Sequence, residues 1–177
     1  LLNEQLKIKI KIKLKKINFM ANKNYINIYN NLVKYSRNKS IFSLFTENDT
    51  FSDRLLIFFF HFGFFLKEYK KTQNKELLQE VFDYVIRELE ISIREIGYGD
   101  ASINKKMKTY INSLYSILEK IDNWDYHDMS KKRDIFKSFF NYDGDTVKLV
   151  NYFDKYSIFL KKNSFNSFLN GVINLEI

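Results

Sequence analysis

The sequence predicts an all-α single domain, a bundle of six or seven helices around one buried apolar helix. Three observations carry that expectation. Proline and cysteine are absent and glycine occurs five times in 177 residues, which leaves little material for the turns and bulges of a multi-stranded sheet. Apolar residues recur at steps of three and four over long stretches. Capping residues punctuate those stretches at helix-length intervals.

Residues 1–19, LLNEQLKIKIKIKLKKINF, alternate Lys with Ile or Leu, a strand period with no second strand to pair with. Their six lysines against Glu4 hold +5 of the formal net charge of +8. We expect a disordered basic arm or a non-native extension ahead of Met20, and one helical domain over residues 20–177. The segment has neither a signal peptide's cleavage pattern nor a transit peptide's Arg and Ser bias.

From Asn24 to about Asn38, Ile28, Leu32 and Val33 stand at helical spacing. Thr50 and Asp53 then stand three apart, the spacing of a capping box. They precede Leu55–Leu66, LLIFFFHFGFFL. That run reaches about 18 Å as a helix, short of the roughly 30 Å hydrocarbon core of a bilayer, and Asp53, Arg54, Lys67 and Glu68 close it on both sides. It reads as a buried central helix from about Phe51 to Tyr69. Asn74 caps a long helix with the stripe Leu78, Phe82, Val85, Leu89, Ile93 and Ile96, which Gly97 stops. Asp100 or Ser102 caps the next, striped by Ile103, Met107, Tyr110, Leu114, Ile117 and Ile121 to about Trp124. So short a connection makes these two helices antiparallel neighbours. A short helix near Ser130 to Phe140, a turn at 143–145, a helix with Val147, Val150, Phe153 and Phe159 on one side, and a short helix or tail from Ser164 complete the chain.

Without cysteine there is no disulfide, thiolate metal site or cysteine nucleophile, and two histidines are too few for most zinc or di-iron sites. No cofactor is expected, and no catalytic set is visible. Outside the arm the charge is only +3, a weak field for a nucleic-acid backbone. The loop Arg94–Asp100, REIGYGD, invites a phosphate-loop reading through Gly97 and Gly99. It follows a helix rather than a strand, lacks a lysine and hydroxyl pair, and sets Asp100 where a phosphate would sit. A glycine C-cap followed by an aspartate N-cap explains it more plainly. His61, within a phenylalanine run, reads as a hydrogen-bonded core histidine, and His127 as an exposed loop residue. Lys105, Lys106 and Lys108 form a basic first turn, unfavourable at the positive end of a helix dipole. Either they meet a partner or they form a merely solvated face.

Two blocks carry a resemblance. Tyr29, Ser36, Arg37, Asp49, Thr50, Arg54 and His61 form the first, and Arg94, Glu95, Ile96, Gly97, Gly99, Asp100, Ile103, Lys105, Lys106 and Lys108 the second. Leu149, Tyr152 and Gly171 continue the pattern toward the end. In these positions the chain resembles the ubiquinol-cytochrome c chaperone family from about Tyr25 to Ile173. It departs where Asp53 replaces a usual glycine and where Leu114, Tyr115, Ser116 and Ile117 lack an arginine. The resemblance implies a non-enzymatic assembly factor for ubiquinol-cytochrome c reductase, respiratory complex III, that binds newly made cytochrome b. It implies no small-molecule substrate. It also implies a place in the bacterial cytoplasm or mitochondrial matrix, peripheral to the inner face of the inner membrane, with a possible contact at the ribosomal tunnel exit. The client or partner residues it suggests are Arg54, His61, Arg94, Glu95, Gly97, Gly99, Asp100, Lys105, Lys106 and Lys108.

Two other readings stay open on sequence. A ribosome- or RNA-binding module needs Lys105, Lys106 and Lys108 on one face with Lys131, Lys132 and Arg133. An enzyme needs a desolvated His61, paired with Asp49, Asp53 or Asp100, in an open pocket.

Overall fold

The computed structural model describes residues 24–38, 41, 50–97, 100–140 and 146–175, with no side-chain description for Asp100 and Ala101. The arm expected at 1–19, the turn at 143–145, Asp49 and Gly99 lie outside the described residues. Among those described are seven α-helices and no strand: α1 (Tyr25–Ser36), α2 (Phe51–Tyr69), α3 (Lys75–Glu95), α4 (Asp100–Ile121), α5 (Met129–Phe139), α6 (Thr146–Lys162) and α7 (Phe165–Asn170). A 3-10 turn at Trp124–Tyr126 follows α4. The fold is the predicted all-α bundle.

The predicted central helix is α2. Thr50 is its N-cap: the hydroxyl oxygen accepts from the Asp53 backbone N–H at 3.2 Å, and the same hydroxyl bonds the Asp53 carboxylate. Every residue from Ile57 to Phe65 is buried, as expected of a helix apolar on all sides. Its neighbours surround it. Phe58 meets Tyr29 of α1 edge-on, Phe62 stacks on Phe82 of α3, and Phe65 packs on Phe168 of α7. Phe60 lies 4.9 Å from Phe136 of α5, and Phe64 stacks at 5.0 Å on Phe153 of α6. Gly63 faces α4, where an added Cβ would stand 3.0 Å from Ile121 Cδ1 and 3.3 Å from Ile117 Cγ2. The glycine lets the α2 and α4 backbones approach. At about 1.5 to 3 kcal/mol of gross transfer energy per buried aromatic side chain, this one helix is the largest contributor to the core.

Around it, α3 is capped by Asn74, whose side chain accepts from Leu77 N–H at 2.8 Å. Gly97 stops it with φ +102, its N–H donating to Arg94 O at 2.9 Å, a left-handed exit that favours glycine. Phe82 of α3 stacks on Tyr115 of α4 at 5.8 Å, consistent with antiparallel neighbours.

The expected stripes need three adjustments. On α3 the buried row is Val81, Val85, Leu89 and Ile93, while Leu78 and Phe82 are half-buried and Ile96 is 62% exposed. On α6 the buried side is Leu149, Val150, Phe153, Tyr156 and Leu160, with Val147 and Phe159 at its margins. Helix α4 begins at Asp100, so Ser102 lies inside the first turn and the cap position precedes Asp100, outside the described residues.

The end of the chain is tied to α1 through side chains. Asn31 is buried, and its Nδ2 donates to Asn27 O at 2.8 Å and Gly171 O at 2.9 Å. Its Oδ1 accepts from Ile173 N–H at 2.7 Å and from the Tyr35 hydroxyl at 3.1 Å. One amide therefore satisfies both itself and the strandless segment after α7.

Candidate functional site

The residues singled out by sequence separate into a buried group and a surface group. His61 sits on α2 with no exposed surface. Its Nδ1 lies 2.8 Å from Ile57 O and its Nε2 2.8 Å from the Tyr152 hydroxyl. A carbonyl only accepts, so Nδ1 carries the proton and Tyr152 donates to Nε2. Burial drives the His61 pKa down to about 4, against which the Ile57 hydrogen bond is a smaller opposing influence. The ring is neutral at pH 7. Tyr35, Tyr152, Phe153 and Tyr156 close around it. His61, expected among the client residues, stands in this structure as an interior joint between α2 and α6. The same burial removes the open pocket that an enzyme reading requires.

The surface group gathers at one end of the bundle. Phe51 at the start of α2 lies 6.5 Å from Tyr110 of α4, so Arg54, the end of α3 and the first half of α4 are neighbours there. Arg54, Glu95, Gly97, Lys105 and Lys108 are exposed. Arg94 Nη2 bonds Glu90 at 2.8 Å across one helical turn. Lys106 is half-buried, on a different side from Lys105 and Lys108. Because α4 starts at Asp100, the three lysines stand in its second and third turns, beyond the reach of the dipole penalty expected from a first turn.

The surface that sequence reasoning missed lies at the opposite end of the α3–α4 pair. Between α2, α3 and α4 opens a groove of about 350 Å³ with Leu66, Leu78, Phe82, Tyr115 and Leu118 among its lining. Lys70, Lys75 and Asp122 stand at its rim. Tyr115 is 54% exposed, its ring flat against Phe82 at 12°. The available signal was the width of the α3 stripe, since Leu78 and Phe82 flank the Val81–Val85 row rather than belong to it. From Phe82 to Arg94 the separation along α3 is roughly 18 Å.

Several other cations are engaged. Buried Lys67 pairs with Asp125 at 2.5 Å, and Lys161 reaches the same carboxylate at 3.2 Å. Burial pushes the Asp125 pKa up, but the hydrogen bonds and charges of Lys67 and Lys161 outweigh it and hold the value near 2. Lys132 pairs with Asp154 at 2.8 Å while lying over the Trp124 ring, and Arg133 donates to Thr146 at 3.0 Å. The continuous basic face needed by an RNA-binding module does not form from these residues. Among the described residues no group of three or more His, Asp or Glu side chains is placed to hold a metal ion. No described helix is long and apolar enough to cross a membrane.

Residues 44–128 match the family model described as ubiquinol-cytochrome C chaperone. Over this stretch the chain is similar to that family. The match takes in Thr50, Arg54, His61, the groove and the whole Arg94–Lys108 block. Tyr152, the partner of His61, lies beyond it. The crystal structure of the Cbp3 homolog from Brucella abortus is similar to this chain with a TM-score of 0.64 at 18% identity, over 97% of each chain. The shared feature is the fold, over essentially the full length. No curated protein matches the sequence significantly.

Proposed function

We propose that the protein is an assembly chaperone for ubiquinol-cytochrome c reductase that holds newly made cytochrome b until its partners or haem complete it. The observation that carries this reading is the family match over residues 44–128. Client contact falls on two surfaces of the α3–α4 pair. The groove around Phe82 and Tyr115 takes apolar side chains of the client, because a half-open apolar floor with a polar rim suits a segment destined for a membrane. The exposed end with Arg54, Arg94, Glu95, Lys105 and Lys108 takes a polar loop of the same client, its charges setting orientation more than affinity. Gly97 closes α3 through its positive φ, and Asp100 starts α4. Lys106 contributes through its stem. His61 keeps α2 and α6 in register and touches no client.

Such a chaperone works peripherally at the inner face of a bacterial inner membrane or in the mitochondrial matrix, within reach of the ribosomal tunnel exit where its client emerges. It needs no cofactor and no reaction. A photo-crosslinking residue placed at position 115, and separately at position 105, tests the placement. Both are expected to capture cytochrome b during its synthesis, whereas the same probe at exposed position 137 on α5 is not. Capture from 137 alone overturns the assignment of the surface.

A further inference from the structure

The outward side of α6 is not used by either client surface. Lys148, Lys155 and Lys162 follow one another at intervals of seven residues, and all three are exposed. Seven residues drift by only about 20° around a straight helix, so the three form a row of roughly 21 Å along the helix axis. Asn151 and Ile158 lie on the same side, Ile158 being 50% exposed between the second and third lysines. The only acid of α6, Asp154, is turned away and engaged by Trp124 Nε1 at 2.7 Å and by Lys132. No ion pair to Lys148, Lys155 or Lys162 occurs among the described residues. By contrast, Lys67, Lys70, Lys132 and Lys161 each have a carboxylate partner.

We propose that this face of α6 docks on an anionic lipid bilayer. The claim rests on the peripheral placement proposed above and gives it a surface. Charge complementarity carries it: three cations in a straight row, no acid among them and one aliphatic side chain between. A helix face is convex and straight, so a planar partner meets all three lysines at once. Lysine is the cation whose flexible stem lies along an apolar surface while its ammonium stays at the headgroups. The row has no arginine for bidentate phosphate binding and no exposed aromatic ring for base stacking, the groups that a single-stranded nucleic acid recruits. With α6 against the bilayer, its apolar side remains in the core, so docking requires no refolding.

The test is co-flotation of the full chain with vesicles, using neutral phosphatidylcholine and mixtures containing an anionic phospholipid. The parent is expected to float only with anionic vesicles and to be released by salt. Each lysine near such a surface is worth roughly fivefold in partitioning. The combined Lys148→Gln, Lys155→Gln and Lys162→Gln variant should therefore bind about a hundredfold more weakly. The lysines of residues 1–19 are common to parent and variant, so the difference reports α6. Lys105→Gln with Lys108→Gln should float as the parent does. The triple variant should still capture cytochrome b in detergent, which separates this proposal from the chaperone reading. Equal flotation of parent and triple variant overturns the proposal, as does a parent that ignores anionic vesicles. Loss of binding to single-stranded RNA with unchanged flotation also overturns it, and assigns the row to nucleic acid instead.

Discussion

The Tyr152 hydroxyl donates to Nε2 of His61 at 2.8 Å, joining α6 to the centre of α2 across 91 positions of sequence. Both ring nitrogens of a fully buried histidine are thereby satisfied, and no buried side-chain nitrogen or oxygen among the described residues lacks a partner. Tyr152→Phe removes the donor and leaves Nε2 unpaired in the interior. We expect a loss of about 1 to 3 kcal/mol in urea unfolding with no change in helix content.

The same histidine sets a pH dependence. Burial lowers its pKa to about 4 in the folded protein, against about 6.5 for an unperturbed histidine. Between those values the unfolded chain binds a proton that the folded chain refuses. The stability contribution is complete above pH 6.5 and is lost as pH falls toward 4, by an amount on the order of 3 kcal/mol. His61→Gln should flatten unfolding free energy over that window. Asp125 acts lower, since its depressed pKa of about 2 keeps its contribution intact above 3.8 and loses it as pH falls toward 2.

Two ion pairs of the same type should differ sharply. Asp125→Asn leaves Lys67, whose side chain is 3% exposed, without its counter-charge, and is expected to cost about 1 to 3 kcal/mol, partial exposure of Asp125 reducing the penalty of a fully buried break. The Lys70–Asp122 pair is about half exposed on both sides. Asp122→Asn should cost less than about 1 kcal/mol. Parallel denaturant titrations of the two variants check the ordering.

Gly63 and Gly97 separate space from strain. At Gly97 an added Cβ meets nothing within 4 Å, but φ is +102, so Gly97→Ala should lose about 1 to 2 kcal/mol through backbone strain alone. At Gly63 the backbone is helical and the Cβ meets Ile121 and Ile117. Gly63→Ala gains helix propensity yet should lose about 1 to 3 kcal/mol by overpacking, and trimming Ile121 to Val should recover part of it. Calorimetry of the single and double variants gives the coupling.

How far the sequence could be read follows from the range of each interaction. Helix α2 was legible because its signals are local: the Thr50 and Asp53 cap, an unbroken apolar run and charged flanks. Burial of His61 followed from its phenylalanine neighbours. Its partner Tyr152 did not, because nothing local in α6 distinguishes that tyrosine from Tyr156. The groove was hidden for a related reason. Leu78 and Phe82 are as apolar as Val81 and Val85, and only the placement of α4 decides which pair is covered. Lys105, Lys106 and Lys108 looked like one cluster, but a helix turns about 100° per residue. Lys106 therefore leaves the face that Lys105 and Lys108 share. On α6 the expected side, from Val147 to Phe159, ran across the helix rather than along it, because tyrosine and leucine at 149, 156 and 160 carry the buried row.

Binding of the client itself is the most direct test of the central claim. Newly synthesised, isotope-labelled cytochrome b is followed onto the full chain by affinity capture, comparing the parent with Tyr115→Ala plus Phe82→Ser and with Lys105→Gln plus Lys108→Gln. A chaperone of this client retains labelled cytochrome b on the parent, loses most of it with the groove variant and part of it with the lysine variant, while both variants unfold cooperatively. Retention of no labelled cytochrome b by the parent, or equal retention by all three folded proteins, contradicts the account.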